Sequence, residues 1–311
     1  MFALNNTRIA IRACQMHYLE NLSQKEIADK LNISRPQISR ILSAARKENL
    51  VTISINDPFA EETALQEQLR RRYPLQEAMA FNTSASGDGL AEFGRMAAQY
   101  LGLFIADQST VGIMSGRTIA AAIAGVGSFQ RRGLHVIPLV GGLGTVGASW
   151  HANSIAMQLA QKSGGISYAL NAPIVVQEEK TKDAFVSDPA IASVLQSGRE
   201  CNVAITGVGD ICEDSTTVAA GGLSSHDMKE LQAAGVVASI CCSYLDAAGN
   251  VLDLPLSRRT IGLTLPDLAD SKIVALAIGK QKVRAIHSVL SSGHIHALMT
   301  DMETAQALLE L

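Results

Sequence analysis

The chain has 311 residues, a formal net charge of −3, 47% hydrophobic and 18% charged residues, and only 4% aromatics, which fits a soluble globular protein with one small and one large core. No apolar run approaches the roughly 20 residues of a membrane helix; the best is Ile119–Gly127 between Arg117 and Arg131, and Arg8 and Arg12 interrupt any signal-peptide core. Five cysteines (Cys14, Cys201, Cys212, Cys241 and Cys242) form no C-x-x-C pair, which argues against a disulfide framework and sets the expected location as a reducing cytoplasm.

Charge is uneven along the chain. Residues 1–55 hold eight Lys/Arg against four Asp/Glu, a charge of +4 that leaves −7 for the remainder. A basic head on an acidic body suits a protein that offers one face to phosphates. Glycine divides the chain as well, since all 25 lie at or beyond Gly87. The head therefore reads as helices with short connections, and the body as strand–loop–helix units with glycine turns.

In the head, Ser23-Gln24-Lys25-Glu26 forms a capping box, and Ser34-Arg35-Pro36-Gln37 repeats it eleven residues on, with Pro36 in the first turn where its missing N–H costs nothing. The spacing predicts helices at about 24–31 and 35–47, joined by Asn32-Ile33-Ser34, a corner sharp enough for a helix-turn-helix. Ile27 and Leu31 face inward, Ile33 plugs the corner, and Ile38, Ile41, Leu42 and Ala45 form the buried stripe of the second helix. That stripe turns Arg35, Gln37, Ser39, Arg40 and Lys47 outward. Arg35, Gln37 and Arg40 are candidates for base edges, because Arg grips guanine and Gln grips adenine through two hydrogen bonds. Lys25, Ser39 and Arg46 are candidates for phosphate contacts. With the cap residues, the expected DNA-binding set is Lys25, Ser34, Arg35, Pro36, Gln37, Ser39, Arg40 and Arg46.

After the head, Val51, Ile53 and Ile55 alternate with polar residues over Leu50–Asn56, which predicts a short strand. Asp57-Pro58 breaks it, and a polar helix is expected over Glu61–Arg72. The expected domains are thus 1–56, a linker at 57–60, and 61–311. Strands are expected at Ala78–Phe81, Thr110–Met114, Val136–Val140, Gly165–Leu170, Asn202–Thr206, Val236–Cys241, Lys272–Ile278 and Ala297–Thr300. Helical patterns fall between most of them, at Leu90–Leu103, 119–124, Ser154–Lys162, Asp227–Ala234 and Lys282–Ser291. Alternation of this kind predicts an α/β fold with a doubly wound, mostly parallel sheet.

Four of these strands run into glycine turns: Ser115-Gly116-Arg117-Thr118, Gly141-Gly142-Leu143-Gly144, Gly207-Val208-Gly209-Asp210 and Gly279-Lys280-Gln281-Lys282. In a parallel sheet all four collect at the carboxyl edge, where exposed amides and helix dipoles favour an anion. Arg117 and Lys282 would add charge-assisted bonds to a phosphate.

The capped helix pair with Val51–Ile55, the S-G-R-T of Ser115–Thr118, the P-L-V-G-G-L-G of Pro138–Gly144, and the closing R-R-T-I-G-L (Arg258–Leu263), K-x-x-A-I (Lys282–Ile286) and L-M-T-D-x-x-T-A-x-x-L-L (Leu298–Leu309) together resemble the SorC/DeoR-type sugar-responsive regulators. The resemblance runs from about residue 8 to 309. It implies an effector domain related to ribose-5-phosphate isomerase and glucosamine-6-phosphate deaminase, operator DNA as partner, a homodimer or homotetramer, and release by a phosphorylated sugar or polyol. Carried over by position, Ser115, Gly116, Arg117 and Thr118 form a phosphate loop. Gly141, Gly142 and Gly144 line the sugar, Asp246 closes the site, and Lys282 meets the phosphate. The chain departs from the family pattern at Ser239, where a carboxylate is usual, at Val140, where some members carry a Schiff-base lysine, and at Lys280, where a second glycine is usual.

A sugar-phosphate isomerase or deaminase with a DNA-binding head is the alternative, and it would need a carboxylate base. Asp210, Asp214, Asp246 and Asp253 stand near the right turns but read better as turn or cap residues. No catalytic residue, cofactor or metal is expected: His294 and His296 lack a companion ligand at metal spacing, and Cys241-Cys242 reads as packing within an apolar strand.

Overall fold

In the computed structural model, residues 4–83, 89–142, 148–212 and 223–311 are described. The chain divides into two compact units, Met1–Pro58 and Phe59–Leu311.

The first unit has helices α1 (Leu4–Tyr18), α2 (Gln24–Leu31) and α3 (Arg35–Lys47). Ala13, Cys14, Met16, Ile27, Ala28, Ile38, Leu42 and Ala45 form its core, with Ile33, Ile41 and Val51 packed against it. Ile27 and Ile38 are fully buried, each contributing about 1.5–3 kcal/mol relative to an exposed side chain. The Ser23 amide donates to Glu26 Oε2 at 2.8 Å, and the Glu26 amide donates back to Ser23 Oγ at 3.3 Å. Asn21, Asn32 and Asn49 all take the left-handed conformation, with φ between 51° and 57°, at the three places where a helix must stop. Asparagine tolerates this region better than other residues bearing a Cβ, which explains how a unit of sharp corners manages without glycine. The strand expected over Leu50–Asn56 does not form. A lone alternating segment needs a ladder partner, and among the described residues it has none; Ile53 and Ile55 stay exposed.

The second unit opens with α4 (Ala60–Arg72), acidic in its first turn and basic in its last, as the helix dipole favours. Then come β1 (Glu77–Phe81), α5 (Gly89–Phe104), β2 (Thr110–Ile113), α6 (Arg117–Gly125), β3 (His135–Pro138), α7 (Ala152–Ser163), β4 (Ile166–Ser167), α8 (Glu179–Ser187), α9 (Pro189–Arg199), β5 (Val203–Gly207), β6 (Gly209–Asp210), α10 (Ser225–Ala233), β7 (Ala238–Ile240), β8 (Ser243–Leu245), β9 (Lys272–Leu276), α11 (Val283–Ser291), β10 (Ala297–Asp301) and α12 (Met302–Glu310). Among the described residues, seven strands form a wholly parallel sheet in the order β1-β10-β9-β5-β2-β3-β4. Buried on both faces, they read as apolar runs such as Lys272-Ile273-Val274-Ala275-Leu276.

The order reverses between β2 and β5. From β2 the chain winds outward through β3 and β4, and from β5 it winds the other way through β9, β10 and back beside β1. Such a reversal leaves a crevice at the carboxyl ends of the two strands. A small antiparallel sheet, β6-β7-β8, follows the end of β5, over its own core of Met228, Leu231, Val236, Tyr244 and Leu256. Cys241 and Cys242 lie in the tight turn between β7 and β8 rather than within a strand, with Cys241 at φ 51°.

Candidate functional site

On the head, Lys25 is exposed on α2, Ser34, Arg35, Pro36, Gln37, Arg40 and Arg46 are exposed on or beside α3, and Ser39 is half-buried. Gln37 is already engaged within the helix: its side-chain oxygen accepts from the Ser34 amide at 3.3 Å and the Ser34 hydroxyl at 2.9 Å. Reading adenine uses both ends of the carboxamide, so in this structure Gln37 acts as a cap. Ser43 was missed in the sequence. It is exposed three positions after Arg40, and helical periodicity places it on the same face with Lys47.

At the carboxyl edge of the sheet, the turn after β2 carries Ser115, Gly116, Arg117 and Thr118 into α6. Ser115 Oγ accepts the Ala152 amide at 3.0 Å, and the Gly116 amide donates to Trp150 O at 3.0 Å. The N-termini of α6 and α7 are thereby joined at one turn, and both bring positive dipole ends to it. Arg117 is exposed, with its guanidinium 5.9 Å from the centre of the Trp150 ring. Across the reversal, Lys282 Nζ donates to the Val208 carbonyl at 3.1 Å, so its ammonium stands over the turn that ends β5. Gly207 adjoins α6 as well: a Cβ there would lie 4.0 Å from Ile119 Cδ1. Ser115–Thr118 and Lys282 therefore flank the same crevice.

Gly141 and Gly142 are differently placed. Their amides are already committed, to Ile261 O at 3.0 Å and Ala172 O at 2.8 Å. A Cβ on Gly141 would fall 2.5 Å from Pro173 O, so glycine is needed there for a close backbone crossing. The R-R-T-I-G-L stretch makes this clamp: Ile261 donates to Ile174 O at 2.7 Å and Leu263 to Leu139 O at 2.8 Å. Arg259 Nη2 pairs with the buried Asp227 carboxylate on α10. Burial alone would raise the Asp227 pKa, but hydrogen bonds from the Ser224 hydroxyl and amide, together with Arg259, outweigh it and hold the group below the usual carboxylate range. Gly144 and Asp214 lie outside the described residues.

The structure does not bring Asp246 to the crevice. Its Oδ1 accepts the amides of Ala248 and Asn250, both at 2.9 Å, and its carbonyl accepts Ser288 Oγ at 2.6 Å. The turn it caps rests on the C-terminal end of α11, where a Cβ on Gly249 would meet Ser288 O and Ser292 N at 2.7 Å. The carboxyl edge holds the opposite end of that helix, about 10 Å away at 1.5 Å per residue. Hydrogen bonds from Asn250 hold the Asp246 carboxyl low, and Arg258 does the same for Asp253. Neither has the raised pKa of a carboxylic acid tuned for proton transfer at neutral pH. Asp210 belongs to the β6–β7 pairing, opposite Ala238.

Ser239 sits on β7 opposite Gly209. His296 Nδ1 accepts the Ile273 amide at 3.1 Å, and no group of three metal-ligating side chains occurs among the described residues. Burial pushes the Cys241 thiol up to about 12 and raises Cys242 as well, which favours the protonated thiol of both at neutral pH. Thr206 was missed in the sequence: fully buried at the end of β5, it donates to Gly207 O at 3.1 Å and takes the Cys241 thiol at 3.9 Å.

Residues 57–310 match the family model of a sugar-binding domain (Sugar-bind), and residues 12–48 match that of sigma-70 region 4. The chain is 29% identical over 304 residues to the deoxyribonucleoside regulator of Bacillus subtilis, covering 97% of each. It is 25% identical to the sorbitol operon regulator of Klebsiella pneumoniae, covering 98% of this chain and 99% of that protein. Among solved structures, the full-length sorbitol operon regulator SorC from Klebsiella pneumoniae superimposes with a TM-score of 0.76 at 24% identity, over 98% of this chain and 99% of that one. A DeoR family transcriptional regulator from Listeria monocytogenes gives 0.75 at 29% identity, over 80% of this chain and 99% of that one. No described helix is long and apolar enough to cross a membrane.

Proposed function

The chain belongs to the SorC/DeoR-type family of sugar-responsive transcription regulators, and on that footing we propose that a phosphorylated sugar or polyol, held at the carboxyl ends of β2 and β5, governs its binding to the operator of a carbohydrate-utilisation operon. The observation that carries this reading is the reversal of strand order between β2 and β5, flanked by Ser115–Thr118 on one side and Lys282 on the other. Two helix N-termini and two cations make that crevice suited to a phosphate. The deoxyribonucleoside, erythritol and sorbitol in the names of relatives support a sugar or polyol as the rest of the ligand. Gly142 serves by leaving room, since its amide is spent and an added Cβ would meet only Ala172 O at 3.8 Å, while Gly141 is required by the backbone crossing at Pro173.

In the head, α3 enters the major groove with Arg35 and Arg40 towards base edges, while Lys25, Ser39 and Arg46 hold phosphates. Paired half-sites call for a homodimer or homotetramer. The protein works in the cytoplasm, where both operator and phosphorylated sugars are found, and it turns over no substrate.

Thermal unfolding with the phosphate esters of deoxyribose, erythritol and sorbitol, each beside its unphosphorylated parent, tests the effector. A ligand at 100 times its Kd stabilises by about 2.7 kcal/mol, and Trp150 fluorescence gives a second readout. Stabilisation by the parent sugars alone removes the phosphate from the reading. Steady product formation from any ester restores the enzyme alternative.

A further inference from the structure

The closing T-D-x-x-T stretch, Thr300–Thr304, reads at first as a helix cap. Asp301 Oδ1 accepts the Thr304 amide at 2.7 Å and so starts α12. The second oxygen has another role. The Gly279 amide donates to Asp301 Oδ2 at 3.1 Å and to Thr304 Oγ1 at 2.8 Å, and the Thr304 hydroxyl itself donates to Asp301 Oδ2 at 2.9 Å. Both side chains are buried. Gly279 stands at φ 107°, a region that other residues rarely adopt. Its carbonyl accepts the Lys282 amide at 2.9 Å, closing the short 3-10 turn Lys280–Lys282, and Lys282 then reaches Val208 O. One chain of hydrogen bonds thus crosses the ends of β10, β9 and β5, three neighbours in the sheet, and finishes at the ammonium that faces the crevice.

We propose that Asp301 and Thr304 are positioning residues of the effector site: they fix the backbone of Gly279 and thereby aim Lys282 at the ligand's phosphate. The inference rests on the crevice being the effector site. A cap needs one oxygen, whereas this arrangement commits a carboxylate and a hydroxyl, 22 and 25 residues further along the chain, to the single amide of Gly279. Losing either acceptor reduces a shared hydrogen bond to a single one, and the half-buried Gly279 turn is then free to shift and carry Lys282 with it.

The test titrates inorganic phosphate into the full chain and follows thermal stabilisation, with operator binding in the absence of phosphate as the check on folding. Lys282→Met is expected to raise the half-saturating phosphate about tenfold. Thr304→Val and Asp301→Ser, which keeps an oxygen for the cap, are expected to do the same, while Thr304→Ser stays within twofold of the parent. In the Lys282→Met background Thr304→Val is expected to add nothing, because both act through one ammonium. If Lys282→Met weakens binding but Thr304→Val and Asp301→Ser do not, or if the losses multiply in the double variant, the positioning role is overturned and the site reading stands. If Lys282→Met binds phosphate like the parent, the site reading itself fails. If Thr304→Val and Asp301→Ser both lose operator binding, a purely structural role replaces the one proposed.

Discussion

Ser115 Oγ accepts the backbone N–H of Ala152 at 3.0 Å, joining the turn after β2 to the first residue of α7, 37 positions further along the chain. His151, at the N-cap of α7, offers no side-chain oxygen, so Ser115 supplies from elsewhere the acceptor that a Ser, Asp or Asn cap supplies locally. Ser115→Ala is therefore expected to lower stability by about 0.5–2 kcal/mol, the range for a lost cap. Urea unfolding of the full chain measures it, and an unchanged midpoint would mean that water replaces the hydroxyl without loss.

Two glycines offer opposite expectations from the same substitution. Gly141→Ala drives a methyl to within 2.5 Å of Pro173 O, and overpacking of this kind costs about 1–3 kcal/mol. Gly102→Ala, on α5 with nothing within 4 Å of the added carbon, is expected to stabilise by about 0.4–1 kcal/mol by reducing the freedom of the unfolded chain. Thermal unfolding of the two variants should move in opposite directions.

The pairing of Asp227 with Arg259 makes stability depend on pH. The folded-state pKa of Asp227 is lowered, so its contribution is fully present above the unfolded value, about 3.9, and is lost as pH falls from there through the folded value. Asp227→Ala is expected to cost about 1.5–3 kcal/mol at pH 7, as for a hydrogen bond to a charged group. The gap between parent and variant should shrink below about pH 4. Melting curves from pH 7 to pH 3 decide it, and a gap that widens towards acid contradicts the assignment.

Arg40 is exposed on the outer face of α3. Arg40→Ala is expected to weaken operator binding by about 1–3 kcal/mol and to relax preference at one base pair. Gel-shift titrations on operator and on unrelated duplex measure both. An equal loss on the two makes Arg40 a phosphate contact.

The head was almost fully legible in the chain. Its two capping boxes, the Asn32 corner and the stripe of Ile38, Leu42 and Ala45 are all local signals, and each element forms from residues within a few positions of one another. What escaped notice was α1, although Ala10, Ala13 and Cys14 carry helical spacing, and the lack of a partner for the alternating residues at 51–55. In the body, apolar runs with glycine turns announced the strands and the edge at which those turns gather.

The tertiary structure alone decided which of those groups remain available to a ligand. That the Gly141 and Gly142 amides are spent on Ile261 and Ala172, that the Asp246 turn is tied to Ser288 at the far end of α11, and that Asp301 holds Gly279 all follow from hydrogen bonds between segments far apart in sequence. Such pairings depend on the order of strands in the sheet. Periodicity and composition specify that strands exist and which faces are buried, but they leave that order open.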